Sequence, residues 1–146
     1  MNKYLTEIEN KLDFYFGKKA PAMPENIKEL IVKYSPYLTI LVMIIAVPTI
    51  LFAFGVGSAF SSIAYLTGSF RPLLYFESLL ALVAIVLEFL ALPGLFKRTK
   101  KAWQFMFYAT LVGLLNSLIG VKIFDLILDG LISFYILFQI KSYYKN

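Results

Sequence analysis

Residues Tyr37–Val56 read YLTILVMIIAVPTILFAFGV, twenty residues without a charged side chain. A helix of this length spans about 30 Å, which matches the hydrocarbon core of a membrane. The segment therefore predicts a membrane-spanning helix. Three more apolar stretches follow it, and we expect four spans at about 37–56, 73–95, 102–120 and 122–140. The last two lie so close together in the chain that they are expected to form an antiparallel hairpin.

The composition of the whole chain agrees with this all-α, four-helix integral membrane bundle. Of its 146 residues, 60% are hydrophobic and 16% are charged, whereas a soluble domain has about 45–50% apolar and about 25% charged residues. The chain contains neither cysteine nor histidine, so it cannot build a disulfide, a Cys/His zinc site or a histidine-dependent catalytic triad. We therefore expect no enzymatic activity, no catalytic residues, no cofactor and no resident metal.

The positions of the basic residues predict the orientation of the spans. Twelve of the fourteen Lys and Arg residues lie before the first span, in the second connection or in the tail: Lys3, Lys11, Lys18, Lys19, Lys28, Lys33, Lys97, Arg98, Lys100, Lys101, Lys141 and Lys145. The other two, Arg71 and Lys122, lie in the connections on the opposite side. Because basic residues favour the cytoplasmic face, we expect a cell inner-membrane protein with both termini in the cytoplasm. The net charge of +5 is then a topology signal, and no nucleic acid is expected as a partner.

Residues 1–36 are predicted to form a cytoplasmic amphipathic helical segment ahead of a bundle made by residues 37–146. The apolar side chains of its first helix recur at three- and four-residue spacing, which places them on one face: Leu5, Ile8, Leu12 and Tyr15. Gly17–Pro24 is expected to end this helix, and a second short helix is expected to begin at Pro24 and lead to Pro36. The first helix either packs on its own bundle, lying on the inner membrane surface, or serves as a docking arm for a partner.

Two further features concern the edges of the membrane. The connection from Gly57 to Pro72 suggests a short interfacial or re-entrant helix, and a surface cap is favoured over a pore loop because exposed non-helical backbone is costly at membrane depth. Aromatic residues are expected to mark the two interfaces, on the inner side Tyr34, Tyr37, Trp103, Tyr143 and Tyr144, and on the outer side Phe70, Tyr75 and Phe76.

Small residues and acids share a stripe on the second span. They follow a repeat of four and three residues: Glu77, Ala81, Ala84, Glu88 and Ala91. The third span carries a comparable stripe: Ala102, Ala109, Gly113, Asn116 and Gly120. Because small residues let membrane helices approach closely, we expect both stripes to face the interior of the bundle.

The candidates for an ion or proton site are the polar residues within the spans: Glu77, Glu88, Asn116, Asp125 and Asp129. A charge in lipid costs roughly 2.5–3.5 kcal/mol on insertion scales, so each requires an explanation. In one interpretation they are structural: the outer acids are hydrated or pair with Arg71 and Lys122, and Glu88 is neutral and hydrogen-bonded. In the other, the outer cluster binds a cation or proton and Glu88 relays it. A third, weaker hypothesis is a divalent metal held by the two aspartates for intramembrane catalysis.

The second connection contains a basic run that predicts contacts with anionic lipid headgroups: Lys97, Arg98, Lys100 and Lys101. The alternative is that these residues only set the topology. The tail from Gln139 to Lys145 is interpreted in the same way, as an aromatic and basic anchor.

Three segments resemble small four-span bacterial membrane proteins with no assigned activity: PAMPENIKE (Pro21–Glu29), LPGLFKRTKKAW (Leu92–Trp103) and FQIKSYYK (Phe138–Lys145). The resemblance implies the same topology and a prokaryotic setting, and it carries no functional residues. Small multidrug resistance transporters have a similar size and four spans, but their essential glutamate lies in the first span, where this chain has none.

The sequence therefore predicts a small multi-pass membrane protein of accessory or structural type. The alternative function is a small cation- or proton-coupled transporter or channel that uses the intramembrane carboxylates. We expect the lipid bilayer as the main partner, together with a second copy of the chain or another membrane protein.

Overall fold

The structure, a computed structural model, describes residues 3–66 and 72–145, with the backbone alone for residues 53, 54, 56–66, 72–75 and 125. The described chain is helical. Its elements are α1 (Lys3–Leu12), a π-helical segment (Asp13–Lys19), α2 (Glu25–Leu66), α3 (Pro72–Phe96), α4 (Lys100–Ile119), α5 (Ile123–Gln139) and a 3₁₀ turn (Lys141–Tyr143).

Four of the described helical stretches are long and apolar enough to cross a membrane: Glu25–Phe52, Phe76–Phe96, Lys100–Ile119 and Leu126–Tyr143. Each corresponds to one of the four predicted spans. Helix α2 packs on α3, α3 on α4, and α4 on α5. The predicted hairpin is confirmed, because three residues, Gly120–Lys122, separate α4 from α5.

The sequence predicted a break between Gly17 and Pro24, and in the structure this break begins only after Lys19. The N-terminal helix continues as the π-helical segment to Lys19, where the Ala20 N–H donates to the Tyr15 carbonyl at 2.9 Å. A Cβ at position 17 would lie 3.0 Å from Asp13 Oδ1 and 3.9 Å from Phe138 Cβ. The Asp13 carboxylate is therefore the tight neighbour of Gly17, and α5 lies at ordinary van der Waals distance. The helical path breaks at residues 20–24.

Helix α2 runs through Pro36 without interruption, whereas a short helix before a separate span was expected. A proline at position 36 has no N–H for the carbonyl of Val32, four residues earlier. The Ser35 hydroxyl donates to this carbonyl at 3.1 Å and replaces the lost hydrogen bond. Since the carbonyl is satisfied, the helix continues.

The predicted separate helix between Gly57 and Pro72 is also wrong in its first part. Residues 57–66 continue the backbone of α2, which makes this helix 42 residues long. Residues 67–71, including Phe70 and Arg71, lie outside the described residues.

The prediction that the small-residue stripes face inward is confirmed where α3 meets α4. Ala91, Ala102 and Ala109 are all buried. At Gly94 an added Cβ would lie 2.8 Å from the Ala102 Cβ and even closer to the Thr99 hydroxyl. The two helix backbones thus meet closely at this point, as small residues allow.

The buried core lies at one end of the bundle, where the N-terminal segment, the α3–α4 connection and the tail meet. We call this the termini end, and the opposite end, with Gly120–Lys122, the far end. The Trp103 ring stacks on Phe107 with centroids 5.6 Å apart and meets Phe138 edge-on at 5.3 Å. Its indole N–H donates to the Leu137 carbonyl at 2.8 Å.

Two of the expected interface aromatics are therefore core residues. Trp103 is only 1% exposed and Tyr144 only 6%, whereas an interface anchor keeps its polar edge toward water and lipid. The indole N–H and the phenol each find a protein partner, which is what allows these amphipathic rings to be buried. Tyr34 and Tyr37 are exposed as predicted.

Candidate functional site

At the far end, Glu77 forms an ion pair with Lys122. Its Oε2 lies 3.6 Å from the Lys122 Nζ, and its carboxylate also packs against Gly120, where a Cβ would lie 3.2 Å from Oε1. The pairing of an outer acid with Lys122 was expected, although the sequence spacing favoured Asp125. The tight turn places Lys122 over the start of α3, which local spacing could not reveal. The Asp125 side chain lies outside the described residues.

The other described acids of the spans do not join Glu77. Asp129 is exposed and accepts a hydrogen bond from the Ser133 hydroxyl at 3.0 Å, one turn further along α5. Glu88 is partly buried on α3 and lies eleven residues from Glu77, which is about 16 Å along a helix. Within the described residues, no group of three acidic side chains is close enough to hold a metal ion.

Asn116 differs from these residues. Its Oδ1 is buried and has no hydrogen-bond partner among the described atoms. The residue lies one turn before Gly120, the glycine that touches the Glu77 carboxylate. Of the five predicted site residues, Asn116 lies one helical turn from the residue that contacts Glu77, whereas Glu88 and Asp129 lie apart.

The densest polar contacts are at the termini end, where sequence reasoning expected only an anchor. Lys141 Nζ lies 2.9 Å from Glu9 Oε1 and 3.5 Å from Asp13 Oδ1. The same ammonium lies over the Trp103 ring, 4.9 Å from its centroid, and 5.4 Å from that of Phe138. The Glu9 side chain is 11% exposed, so this ion pair is shielded from water far more than an ordinary surface pair.

Gln139 extends this contact along the chain. Its amide nitrogen donates to the Phe16 carbonyl at 2.9 Å, and its amide oxygen accepts from the Met23 N–H at 3.1 Å. Tyr135 donates to the Pro21 carbonyl at 2.9 Å. We call the contacts of residues 9–25 with residues 135–143 the terminal interface. Two sequence signals indicate the terminal interface. One is a glutamine at the end of an apolar helix, and the other is the pair of acids at positions 9 and 13 on one helix face.

The tail also binds the first turns of α2. Tyr143 donates to the Glu25 carboxylate, and Tyr144 shares a hydrogen bond of 3.0 Å with the Ser35 hydroxyl. Burial raises the pKa of the Tyr144 phenol, while the Ser35 hydrogen bond and Arg98 act against this rise. The phenol is therefore neutral at physiological pH and keeps its proton for the hydrogen bond.

Among the alternatives for the first helix, the structure supports packing on its own bundle. Leu12 and Phe16 pack against the core. The predicted apolar face is nevertheless divided, because Ile8 is 42% and Tyr15 is 57% exposed. The change to π-helical geometry after Leu12 rotates the face, which explains why Phe16 and not Tyr15 reaches the core.

Reversing the charge of Lys141 is expected to release the N-terminal segment. In Lys141→Glu, the new carboxylate faces those of Glu9 and Asp13. The docked state is expected to lose about 1–3 kcal/mol of stability, a value between those for exposed and buried ion pairs. Trypsin should then cut after Lys18 and Lys19 faster than in the wild type, and the emission of Trp103, the single tryptophan, should shift to the red.

Lys11→Glu is the matched control, because Lys11 pairs with Glu7 at 3.0 Å with both side chains mostly exposed. This variant should keep the wild-type cleavage rate. Adding Glu9→Lys to Lys141→Glu should restore part of the protection. Wild-type protection in Lys141→Glu itself would show that the ion pair does not hold the segment.

One residue of the basic run, Arg98, lines an open cavity at the termini end. The run is exposed at all four basic residues, Lys97, Arg98, Lys100 and Lys101. The backbone N–H groups of Arg98 and Lys100 are hydrogen-bonded. The cavity measures about 460 Å³ and is lined by Glu25, Arg98, Ser142, Tyr143 and Lys145. The tail thus contributes more of this lining than the sequence indicated.

Comparison of the chain with protein-family models, curated proteins and solved structures finds no match.

Proposed function

We propose that this chain is a multi-pass accessory protein of a bacterial cell inner membrane, with both termini in the cytoplasm and without enzymatic activity. Its four apolar helices support a membrane location. Large side chains along them are open to the surroundings, among them Ile44, Phe52, Phe89 and Ile132. So much contiguous apolar surface is typical of contact with lipid or with another membrane protein.

The terminal interface is the observation that carries the proposal. Buried polar groups there, Glu9 and Gln139, are bonded to protein atoms of distant segments. Hydrogen bonds and ion pairs of this kind fix one arrangement of the helices. The polar groups of the termini end thus hold the helices in one arrangement. A fixed arrangement suits a protein that presents the same surface to a second copy or to a membrane-protein partner.

A small cation- or proton-coupled transporter or channel is the second candidate. The observation in its favour is the buried Asn116 Oδ1, which has no partner among the described atoms. Asn116 lies one helical turn before Gly120, which contacts the Glu77 carboxylate. A buried amide oxygen without a hydrogen bond costs about 1–3 kcal/mol. A bound cation or water would remove this cost.

The two candidates predict different results in proteoliposomes. We expect proton flux, followed with a trapped pH dye under an imposed potential, to equal that of empty vesicles. We expect the same for K⁺ and Na⁺ fluxes. Glu77→Gln, Glu88→Gln and Asp129→Asn should leave this baseline unchanged, as should the exposed control Glu7→Gln. A flux above the baseline that falls in any of the first three variants, but not in the control, would replace the accessory function by transport.

The accessory function also predicts a defined assembly. Native membranes extracted directly into lipid nanodiscs should contain the chain in particles of one discrete mass above that of the 16.6 kDa monomer with its lipid. Particles with a single copy and no second protein would contradict the proposal.

A further inference from the structure

The α3–α4 connection and the tail are joined by backbone hydrogen bonds. Lys145 donates to the Arg98 carbonyl at 2.9 Å, and Lys100 donates to the Lys145 carbonyl at 2.9 Å. These bonds form a parallel bridge between Thr99 and Lys145. Because the bridge fixes both backbones, Arg98 and Lys145 are held on the wall of the same cavity.

The charges around this cavity are unbalanced. Two of its lining residues, Arg98 and Lys145, are basic, and Lys97, Lys100 and Lys101 lie beside Arg98 in the sequence. Glu29 is a further acid near Tyr143. The first turn of α4 contains no acidic residue, although a helix N-terminus favours one. Glu25 is the single carboxylate among the lining residues, and it already accepts from Tyr143 and pairs with Lys28 at 3.0 Å. The cavity therefore favours an anion.

Arg98 is held in a costly backbone conformation. Its φ is +51°, in the left-handed region where a non-glycine residue is disfavoured by about 1–2 kcal/mol. Glycine would remove this cost. An arginine at this position is consistent with a need for its guanidinium, whose planar donors match the oxygens of a phosphate.

The cavity also lies just beyond the ends of two apolar helices. Arg98 follows the end of α3 at Phe96 by two residues, and Lys145 follows the last apolar stretch at Tyr143 by two residues. In a protein that spans the membrane, as proposed above, this level corresponds to the headgroups.

We propose that this cavity binds the phosphate group of an anionic ligand, held by the Arg98 guanidinium, the Lys145 ammonium and the Ser142 hydroxyl. The headgroup of an anionic membrane lipid is the source available at this level, and a soluble phosphate ester has the same chemistry. Of the basic run expected to contact lipid, Arg98 thus contributes to a site whose other residues, Ser142 and Lys145, belong to the tail.

The test counts lipids bound to the full chain in neutral detergent by native mass spectrometry. Wild-type protein should bind phosphatidylglycerol more tightly than phosphatidylcholine. Arg98→Gln and Lys145→Gln should each weaken phosphatidylglycerol binding about fivefold, the effect of about 1 kcal/mol for one basic residue at a membrane surface. Lys33→Gln, which removes an exposed cation on α2, is the matched control and should bind as the wild type does.

Arg98→Gly separates binding from folding. Because it relieves the left-handed backbone, it should keep or raise the melting temperature while it weakens phosphatidylglycerol binding as Arg98→Gln does. Glycerol 3-phosphate added as a competitor distinguishes the two sources: displacement at micromolar concentration indicates a soluble ester, and lack of displacement indicates the lipid.

Equal binding of the two lipids, or unchanged phosphatidylglycerol binding in both Arg98→Gln and Lys145→Gln, would overturn the site. These results are independent of the flux and mass measurements, so the phosphate site and the accessory function can fail separately.

Discussion

Replacing Trp103 by alanine is expected to lower the free energy of unfolding by about 3–5 kcal/mol, the usual cost of truncating a large buried aromatic residue. The side chain is only 1% exposed and packs between Phe107 and Phe138. Its removal leaves a cavity between α4 and α5 and deprives the Leu137 carbonyl of its indole donor. The Lys141 ammonium also loses the aromatic ring beneath it.

Loss of the monodisperse gel-filtration peak after heating in detergent measures this effect. Trp103→Phe keeps most of the ring volume and removes the N–H, so its melting temperature should lie between those of the wild type and the alanine variant. Phe89→Ala is the control, since this ring is 64% exposed, and it should melt close to the wild type. A Trp103→Ala protein as stable as Phe89→Ala would show that the aromatic cluster does not stabilise the bundle.

Adding one methyl group at Gly94 is expected to destabilise the protein by about 1–3 kcal/mol, the typical cost of overpacking. The new Cβ would lie 2.8 Å from the Ala102 Cβ. It would also push against the Thr99 hydroxyl, which accepts from the Ala102 N–H at 3.4 Å and caps α4. Helices α3 and α4 must then separate at their closest point.

Gly113→Ala is a matched control for Gly94→Ala. Both glycines lie within helices of this pair, but a Cβ at position 113 meets no described atom within 4 Å. Since alanine forms helix better than glycine, stability should be unchanged or rise by up to about 1 kcal/mol. Melting temperatures in the same detergent provide the comparison. Equal losses in the two variants would mean that helix propensity, and not the contact with Ala102, determines the effect.

The sequence predicted the helices well, and it predicted the inward-facing stripes well at the termini end, because both depend on local patterns. Gly113 of the third-span stripe does not pack closely, since a Cβ there would meet no described atom within 4 Å. Twenty apolar residues in a row indicate a span without knowledge of its neighbours. The repeat that contains Ala91 predicted a packed face, and Ala91 is fully buried. A pattern within one helix was sufficient in each case.

The positions of the helix ends were predicted poorly, because they depend on atoms that compensate for a local defect. Pro36 is a helix breaker by itself, but α2 continues through it and the Ser35 hydroxyl donates to the Val32 carbonyl that the proline leaves without its usual donor. Gly17 also suggested a break, but the π-helical segment runs through it to Lys19. Proline and glycine often end helices, but the helix continues through them where the surrounding atoms allow it.

The candidate site was predicted in part. The acids within the spans were identified as the residues that need partners, and Lys122 was identified as a partner. The acids at positions 9 and 13 and Gln139 are sequence signals of a polar contact, but they do not identify Glu9 as the partner of Lys141, because the two residues lie at opposite ends of the chain. Contacts between such distant residues leave no periodicity in either segment.

The Gln139–Phe16 hydrogen bond joins residues 123 positions apart, which has a consequence for biogenesis. At typical translation rates, roughly 6–25 s pass between synthesis of the two residues. During this interval the emerging N-terminal segment lacks its hydrogen-bond partner, because Gln139 lies at the end of the last apolar helix. Docking of the N-terminal segment is therefore a late step that follows synthesis of all four apolar helices, and a chain truncated before Gln139 would lack the hydrogen bonds to Phe16 and Met23.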